Sequence, residues 1–171
     1  MKNIILIGFM GVGKGTVARS LAKEGALYAI DTDDMIESLE NRKIKDIFAL
    51  EGEDYFRALE KKTAKWLEKS VKNSIISTGG GFYKVKNLKK IGKVILLDAS
   101  FSYIHKQILA HPNAARKLEK RPLFQNIQKA QKLYEERMPL YREVSDLVIN
   151  IEGKKPQAIA KEILKTLSYH A

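Results

Sequence analysis

The sequence predicts a three-layer α/β/α domain built on a five-stranded parallel sheet. Three observations predict it. Short apolar runs recur at Asn3–Ile7, Leu27–Asp31, Ser74–Ser77, Lys93–Asp98 and Leu147–Ile151, with helical patterns between them. Alternating strands and helices give a parallel sheet covered on both faces. The runs are apolar almost throughout, as strands buried on both sides are, and a glycine loop joins the first run to the first helix.

That loop is Gly8-Phe9-Met10-Gly11-Val12-Gly13-Lys14-Gly15-Thr16. Strand, glycine loop, lysine and helix start together describe a phosphate-binding loop. Its glycines let backbone N–H groups turn around an anion, and the helix N-terminus adds partial positive charge there. Lys14 can reach the β- and γ-phosphates. The usual pattern places Ser or Thr directly after the lysine to hold Mg²⁺. Here Gly15 takes that place, and the hydroxyl follows at Thr16.

The helix after the loop carries Val17, Ala18, Leu21 and Ala22 and ends near Gly25, a suitable C-cap. Residues 33–52 form a helical insertion between the second and third strands. A long helix is expected from about Asp54 to Val71, with Phe56, Leu59, Thr63, Trp66, Leu67 and Ser70 on one stripe and Trp66 in the core. Ser100 is placed to cap a helix carrying Ile104 and Ile108. Residues 111–125 are polar, basic and rich in turn formers; a loop of that length in a compact domain is typically a lid or disordered. Arg137, in Arg137-Met138-Pro139-Leu140-Tyr141, is expected to close a long helix. Pro156 opens the last helix, whose apolar face is Ile159, Ile163, Leu164 and Leu167.

A chain of 171 residues suits one domain and buries roughly 70% of its unfolded surface without staples. It has no Cys, which excludes disulfides and thiolate metal sites. Apolar runs fall far short of the ~20 residues that span a bilayer, and Met1-Lys2-Asn3 leads directly into a strand, unlike a signal peptide. A soluble cytoplasmic protein, monomeric and without a membrane partner, is the expectation. The net charge of +11, from 31 Lys and Arg against 20 Asp and Glu, suits either a solvated lysine-rich surface or steering of small anions. The lysines are dispersed and lack the aromatic interleaving of RNA-binding surfaces, so no nucleic-acid partner is expected.

Several residues could carry chemistry. Asp31-Thr32-Asp33-Asp34 follows the second strand, where carboxylates project into the ligand crevice. One carboxylate would sit near Mg²⁺ and the other would accept a hydrogen bond from a substrate hydroxyl; alternatively, Asp33 or Asp34 caps the next helix. Gly79-Gly80-Gly81 suits a close backbone approach to a ligand, or a flexible turn. Arg57, Arg121 and Arg137 are either solvated surface or anion ligands. His105, His111 and His170 have no metal-ligand spacing and are read as surface or packing residues.

The order of these motifs resembles the shikimate kinase family from Asn3 to about Leu167. The motifs are the phosphate loop, Asp31-Thr32-Asp33, Phe56-Arg57-x-x-Glu60, Gly79-Gly80-Gly81, Arg121-Pro122-Leu123 and Arg137-x-Pro139-Leu140-Tyr141. The resemblance implies a P-loop kinase fold in a single domain, with a substrate-binding insertion at about 33–60 and a lid at about 111–125. It implies transfer of the ATP γ-phosphoryl group to the 3-hydroxyl of shikimate, with Mg²⁺, in aromatic amino-acid (chorismate) biosynthesis. Gly11, Val12, Gly13, Lys14, Gly15 and Thr16 would hold the ATP phosphates. Asp33 would contact the shikimate hydroxyls as base or orienter, and Arg57 and Arg137 would clamp its carboxylate. Gly79, Gly80 and Gly81 would approach it through backbone N–H groups. Lys14 and Arg121 would neutralise the transferring group. Asp31, through water, and Thr16, as the loop's remaining hydroxyl, are the groups nearest the metal.

Three positions depart from the family pattern. Gly15 replaces its metal-binding hydroxyl and gives a Lys-Gly-Thr sequence similar to adenylate kinases. Gln107 falls where many members carry an arginine stacked on adenine, although Pro156 matches the residue on the other face. The segment 111–120 is somewhat long. Two other readings therefore stand beside the first: an adenylate or gluconate kinase relative, and a catalytically silent nucleotide-binding or RNA-binding module.

Overall fold

The structure, a computed structural model, describes residues 2–113 and 122–168. Arg121, His170 and most of the expected lid lie outside the described residues.

Five parallel strands form one sheet in the order β2-β3-β1-β4-β5. They are β1 (Asn3–Ile7), β2 (Tyr28–Asp31), β3 (Ser74–Ser77), β4 (Gly92–Asp98) and β5 (Leu147–Asn150). Each strand lies within about a residue of its expected limits. Ile5 pairs with Ile76 on one side and Val94 on the other, so the β1 run Asn3–Ile7 is buried from end to end. The outer strands differ from the expectation of burial on both faces. Tyr28 and Ala29 of β2 are exposed, as are Val148 and Asn150 of β5, because each strand has a neighbour on one side only.

Among the described residues the helices are α1 (Lys14–Glu24), α2 (Thr32–Glu40), α3 (Ile44–Ser70), α4 (Leu88–Ile91), α5 (Phe101–Leu109), α6 (Ile127–Val144) and α7 (Pro156–Thr166). None is long and apolar enough to cross a membrane. α3 is two helices joined at Gly52, whose φ of 81° and ψ of 177° break the spiral. Its second half begins where the apolar stripe placed a helix start, near Asp54. Phe56, Leu59, Thr63 and Leu67 are buried as expected. Trp66 is not in the core: it is 47% exposed, and Ser70 is exposed too. The buried seam runs through Ala64 and Leu67 instead, so the stripe drawn from periodicity was too wide by one position on that side.

Other local expectations shift for identifiable reasons. Gly25 is the C-cap of α1, but the left-handed residue is Ala26, with φ 50°. Asp31, not Asp33 or Asp34, is the N-cap of α2, accepting from both of their backbone N–H groups. Ser100 caps α5 through Tyr103 N–H, and Pro156 opens α7, both as expected. Arg137 does not close its helix: α6 runs on through Pro139 to Val144. Pro139 forfeits one backbone bond, and the buried Met138 and Tyr141 on either side of it hold the helix against the core.

The main core fills the space between the sheet and its helices. The insertion has a small core of its own, formed by Ile36, Ile47, Phe56 and Leu59 with Ile44 against it. At the head of β1, buried Asn3 donates to the carbonyls of Val71 (2.8 Å) and Ile91 (2.9 Å) and accepts from Ser74 N–H (3.1 Å). One side chain thereby fixes the starts of three adjacent strands. The carboxyl ends of the strands open together at the other end of the sheet, where ligands bind in this class of fold.

Candidate active site

A cleft of about 1060 Å³ opens at those carboxyl ends. It is bordered by the phosphate loop from Met10 to Thr16, by Asp31 and Asp33, by Ser77–Gly80, and by Gln107 and Pro156. Most of the residues expected to bind ligands therefore share one cavity.

The loop adopts an anion-cradling form. Gly11 and Gly13 have φ of 85° and 99°, conformations that side chains resist. Gly13 is the left-handed N-cap of α1, so the first amides of the helix face the cleft. Lys14 Nζ donates to the carbonyls of Gly8 (2.8 Å) and Phe9 (3.1 Å). Phe9 is fully buried and meets Phe101, Phe124 and Tyr134 edge-on, with ring centroids 5.4–6.4 Å apart. The aromatic cluster holds the loop against α5, α6 and the turn Pro122–Gln125, where the expected lid segment rejoins the fold.

The segments after β2 and β3 are tied to each other. Ser77 Oγ donates to Asp31 Oδ2 (2.9 Å), while Asp31 Oδ1 accepts from Asp33 N–H (2.9 Å) and Asp34 N–H (3.3 Å). Gly79 N–H donates to buried Thr32 Oγ1 (3.0 Å), and Thr78 Oγ1 donates to Leu6 O (2.9 Å). These bonds link β2, β3 and β1 at the cleft floor and set the height of Asp33 above it.

The three consecutive glycines meet three different charged side chains. A Cβ on Gly79 would strike the carboxylate of Asp33. One on Gly80 would lie 3.1 Å from Arg137 Nη1, and one on Gly81 would strike the guanidinium of Arg57. The segment is bare because side chains from α2, α3 and α6 converge on it. Asp33, Gly79 and Gly80 line the cleft itself, while Arg57 and Arg137 flank the glycines just beyond it.

The two arginines and Gly80 are positioned by residues that the motifs contained but to which sequence reading gave no role. Tyr141, 1% exposed, donates its hydroxyl to Gly80 O at 2.6 Å, and Arg137 Nη1 approaches the same oxygen at 3.4 Å. Burial pushes the Tyr141 phenol up to about 12, so it remains a donor. Arg57 bonds Glu60 Oε2 at 2.6 Å and Glu53 Oε1 at 2.9 Å. Glu53 is well exposed and such pairs contribute about 0–1 kcal/mol. Glu60 is buried, and removing one partner of a buried pair costs about 3–5 kcal/mol, so Glu60 is what fixes Arg57. The signal for Glu60 was its spacing of three from Arg57, which puts both on one helix face. Tyr141 ends the Arg137 motif, but nothing local gave it a role. Ile44 and Phe48, which add an apolar wall from the insertion, also went unmarked.

The electrostatics single out Asp33. Burial is the main cause that raises its carboxyl to about 7 from the ordinary 3.8. The negative charges of Asp31, Glu60 and Asp34 raise it further, and Lys14 opposes them. Its Oδ1 is buried without a hydrogen-bond partner. A carboxylate of this kind in a cleft is suited to take a proton from a bound hydroxyl near neutral pH. Glu60 is also pushed up by burial, with Arg57 opposing, and its Oε1 is likewise unpartnered.

Gln107 and Pro156 also border the cavity. Among the described residues no cluster of three or more acidic or histidine side chains could cage a metal.

The chain is similar to known proteins over nearly its whole length. The shikimate kinase family model matches residues 10–168. A shikimate kinase of Helicobacter hepaticus is 40% identical over 167 residues, covering 98% of this chain and 96% of the relative. One of a Sulfurihydrogenibium species is 40% identical over 169 residues, covering 96% of each. A solved structure of the shikimate kinase from Acinetobacter baumannii in complex with shikimate superposes with a TM-score of 0.86 at 32% identity, over 98% of this chain and 93% of that one. The Aquifex aeolicus shikimate kinase gives 0.78 at 34% identity, over 97% and 96%.

Proposed function

This chain belongs to the shikimate kinase family, and from that premise we propose how its residues carry out transfer of the ATP γ-phosphoryl group to the 3-hydroxyl of shikimate. The observation that carries the proposal is the convergence of Asp33, Arg137 and Arg57 on Gly79, Gly80 and Gly81 respectively.

Arg57 and Arg137 bind the shikimate carboxylate, each as a charge-assisted donor. Glu60 and Tyr141 hold the two sides of that clamp in place. The N–H groups of the glycine segment come close to the ring because no Cβ stands in the way. Asp33, one of whose oxygens is buried without a hydrogen-bond partner, then faces the reacting hydroxyl from the cleft wall. Phosphoryl transfer depends mainly on positioning and on neutralising charge. Asp33 orients the hydroxyl and accepts its proton as the new P–O bond forms and the bond to the departing ADP oxygen breaks. Lys14 and the loop amides bind the phosphates, Arg121 adds charge to them, and Pro156 packs on the adenine.

Magnesium fits this donor set in the outer shell. Asp31 already accepts three hydrogen bonds, and Gly15 offers no oxygen. Mg²⁺ commonly keeps several waters and takes its remaining oxygens from phosphates and one or two carboxylates. Asp31 would hold it through water, and the ion would supply neutralisation of phosphate charge. The protein acts in the cytoplasm as a monomer.

A coupled assay with shikimate, ATP and millimolar Mg²⁺ tests the function. Turnover with shikimate well above that with AMP or gluconate is expected; a folded protein that does not turn over shikimate, or that turns over AMP or gluconate faster, would refute the proposal.

A further inference from the structure

We propose that Arg19 is an additional ligand of the nucleotide phosphates, and that Gly15 is the residue that gives it access. The proposal rests on the kinase reading above but concerns a residue to which that reading assigns no part. Arg19 lies one turn beyond Gly15 on α1, so the two share a helix face. It borders the same cleft as the phosphate loop. Its Nη2 donates to Thr16 Oγ1 at 3.3 Å, and its Nη1 lies 3.6 Å from where a Cβ on Gly15 would stand. The guanidinium therefore extends back along the helix toward the loop amides.

Its surroundings set it apart from most other described arginines, and Arg137, the other one without a carboxylate partner, meets the carbonyl of Gly80 instead. Arg42 pairs with Glu40 and Glu51, Arg57 with Glu53 and Glu60, and Arg142 with Asp98. Among the described residues Arg19 bonds only a neutral hydroxyl, so its charge is not neutralised within the fold. An exposed guanidinium held beside a phosphate loop without a carboxylate is available to an anion, and its fork geometry matches phosphate oxygens.

The same observations give Gly15 a purpose. A hydroxymethyl group at that position would put an oxygen between the Arg19 guanidinium and the phosphates. With glycine the path is open. Lys14, tied to the carbonyls of Gly8 and Phe9, serves the loop from its strand side, and Arg19 serves it from the helix side. A fixed cation thus replaces part of the charge that a tightly held metal would provide. Arg19 and Mg²⁺ then act on the same phosphate charge, and losing one makes binding lean more on the other.

Calorimetric titration of ADP into the parent chain and Arg19→Gln tests this, in EDTA and again in saturating Mg²⁺. The substitution is on the surface, and a thermal melt verifies the fold. Arg19→Gln is expected to weaken ADP binding about tenfold in EDTA, the loss of a charge-assisted phosphate contact. The loss should shrink with Mg²⁺ present, Arg19→Lys should recover part of it, and shikimate affinity should not move. ADP affinity within twofold of the parent in EDTA would overturn the proposal. So would an equal loss in both buffers, which marks a purely structural role. If the parent chain fails to bind ADP at all, the kinase reading falls and takes this proposal with it, a result distinct from a parent that binds and a variant that binds equally well.

Discussion

Asp33 and Gly79 stand so close that a single added carbon on Gly79 would collide with the Asp33 carboxylate. The two residues belong to different strand ends, yet Thr32 and Asp31 pin both segments to one height. The spacing between substrate-facing backbone and the proposed proton acceptor is thus built in.

Gly79→Ala tests that spacing. The added methyl must displace Asp33, and a shift of about 1 Å in a reacting group costs on the order of 100-fold in rate. Turnover is expected to fall by about that factor while ADP binding stays near the parent value. A coupled assay and a nucleotide titration on the same preparation check it.

Glu60→Gln keeps the shape of the buried side chain but removes the charge that fixes Arg57. The KM for shikimate is expected to rise about tenfold, with the KM for ATP little changed. Steady-state kinetics with each substrate varied in turn separates the two. An equal rise in both would point to a general loosening of α3 instead.

The much raised Asp33 carboxyl has a consequence for stability. Its folded value is about 7, against 3.8 for the ordinary side chain. Between those limits the folded chain holds a proton that the unfolded chain has released, so the buried carboxyl loses stability as pH rises from about 4 to 7. Above 7 the cost is complete. Asp33→Asn escapes it, so this variant should melt higher than the parent at pH 8, with the difference shrinking toward pH 5. Paired thermal melts across that range measure the trend; a difference independent of pH would contradict it.

Gly15→Ser is expected to fold normally, because a Cβ there meets only Arg19 Nη1, at ordinary contact distance. The new hydroxyl adds an oxygen next to the phosphates. Half-maximal activity should therefore need less Mg²⁺ than in the parent. An unchanged Mg²⁺ titration would show that Thr16, Asp31 or water already fills this role.

The sheet and the ligand-facing residues were legible because they sit at strand ends and loops, where local rules are strict. Five apolar runs separated by helical patterns leave few arrangements other than a parallel sheet. The phosphate loop is legible from its own spacing. What was not legible depends on distant partners. Tyr141 and Gly80 are 61 residues apart, and nothing around either one signals the bond. Trp66 and Ser70 fit the stripe of α3, but only the position of neighbouring elements decides which edge of a stripe is covered. Pro139 reads as a helix end by local rules, and packing of Met138 and Tyr141 overrides it. Asp31 was read as a metal neighbour, whereas its oxygens also cap α2 and hold Ser77. Arg121 lies outside the described residues, so its place over the phosphates rests on the motif.

In the proposed mechanism Asp33 accepts the proton of the shikimate hydroxyl. The most direct test is the pH profile of kcat/KM for shikimate, in the parent and in Asp33→Asn. The parent should gain activity as pH rises through about 7, as the Asp33 carboxyl ionises in the free enzyme. Asp33→Asn should lose at least about 100-fold, the usual minimum for removing a general base, and lose the rise as well, while still binding shikimate. A variant that keeps near-parent turnover, or the same pH profile, would contradict the claim.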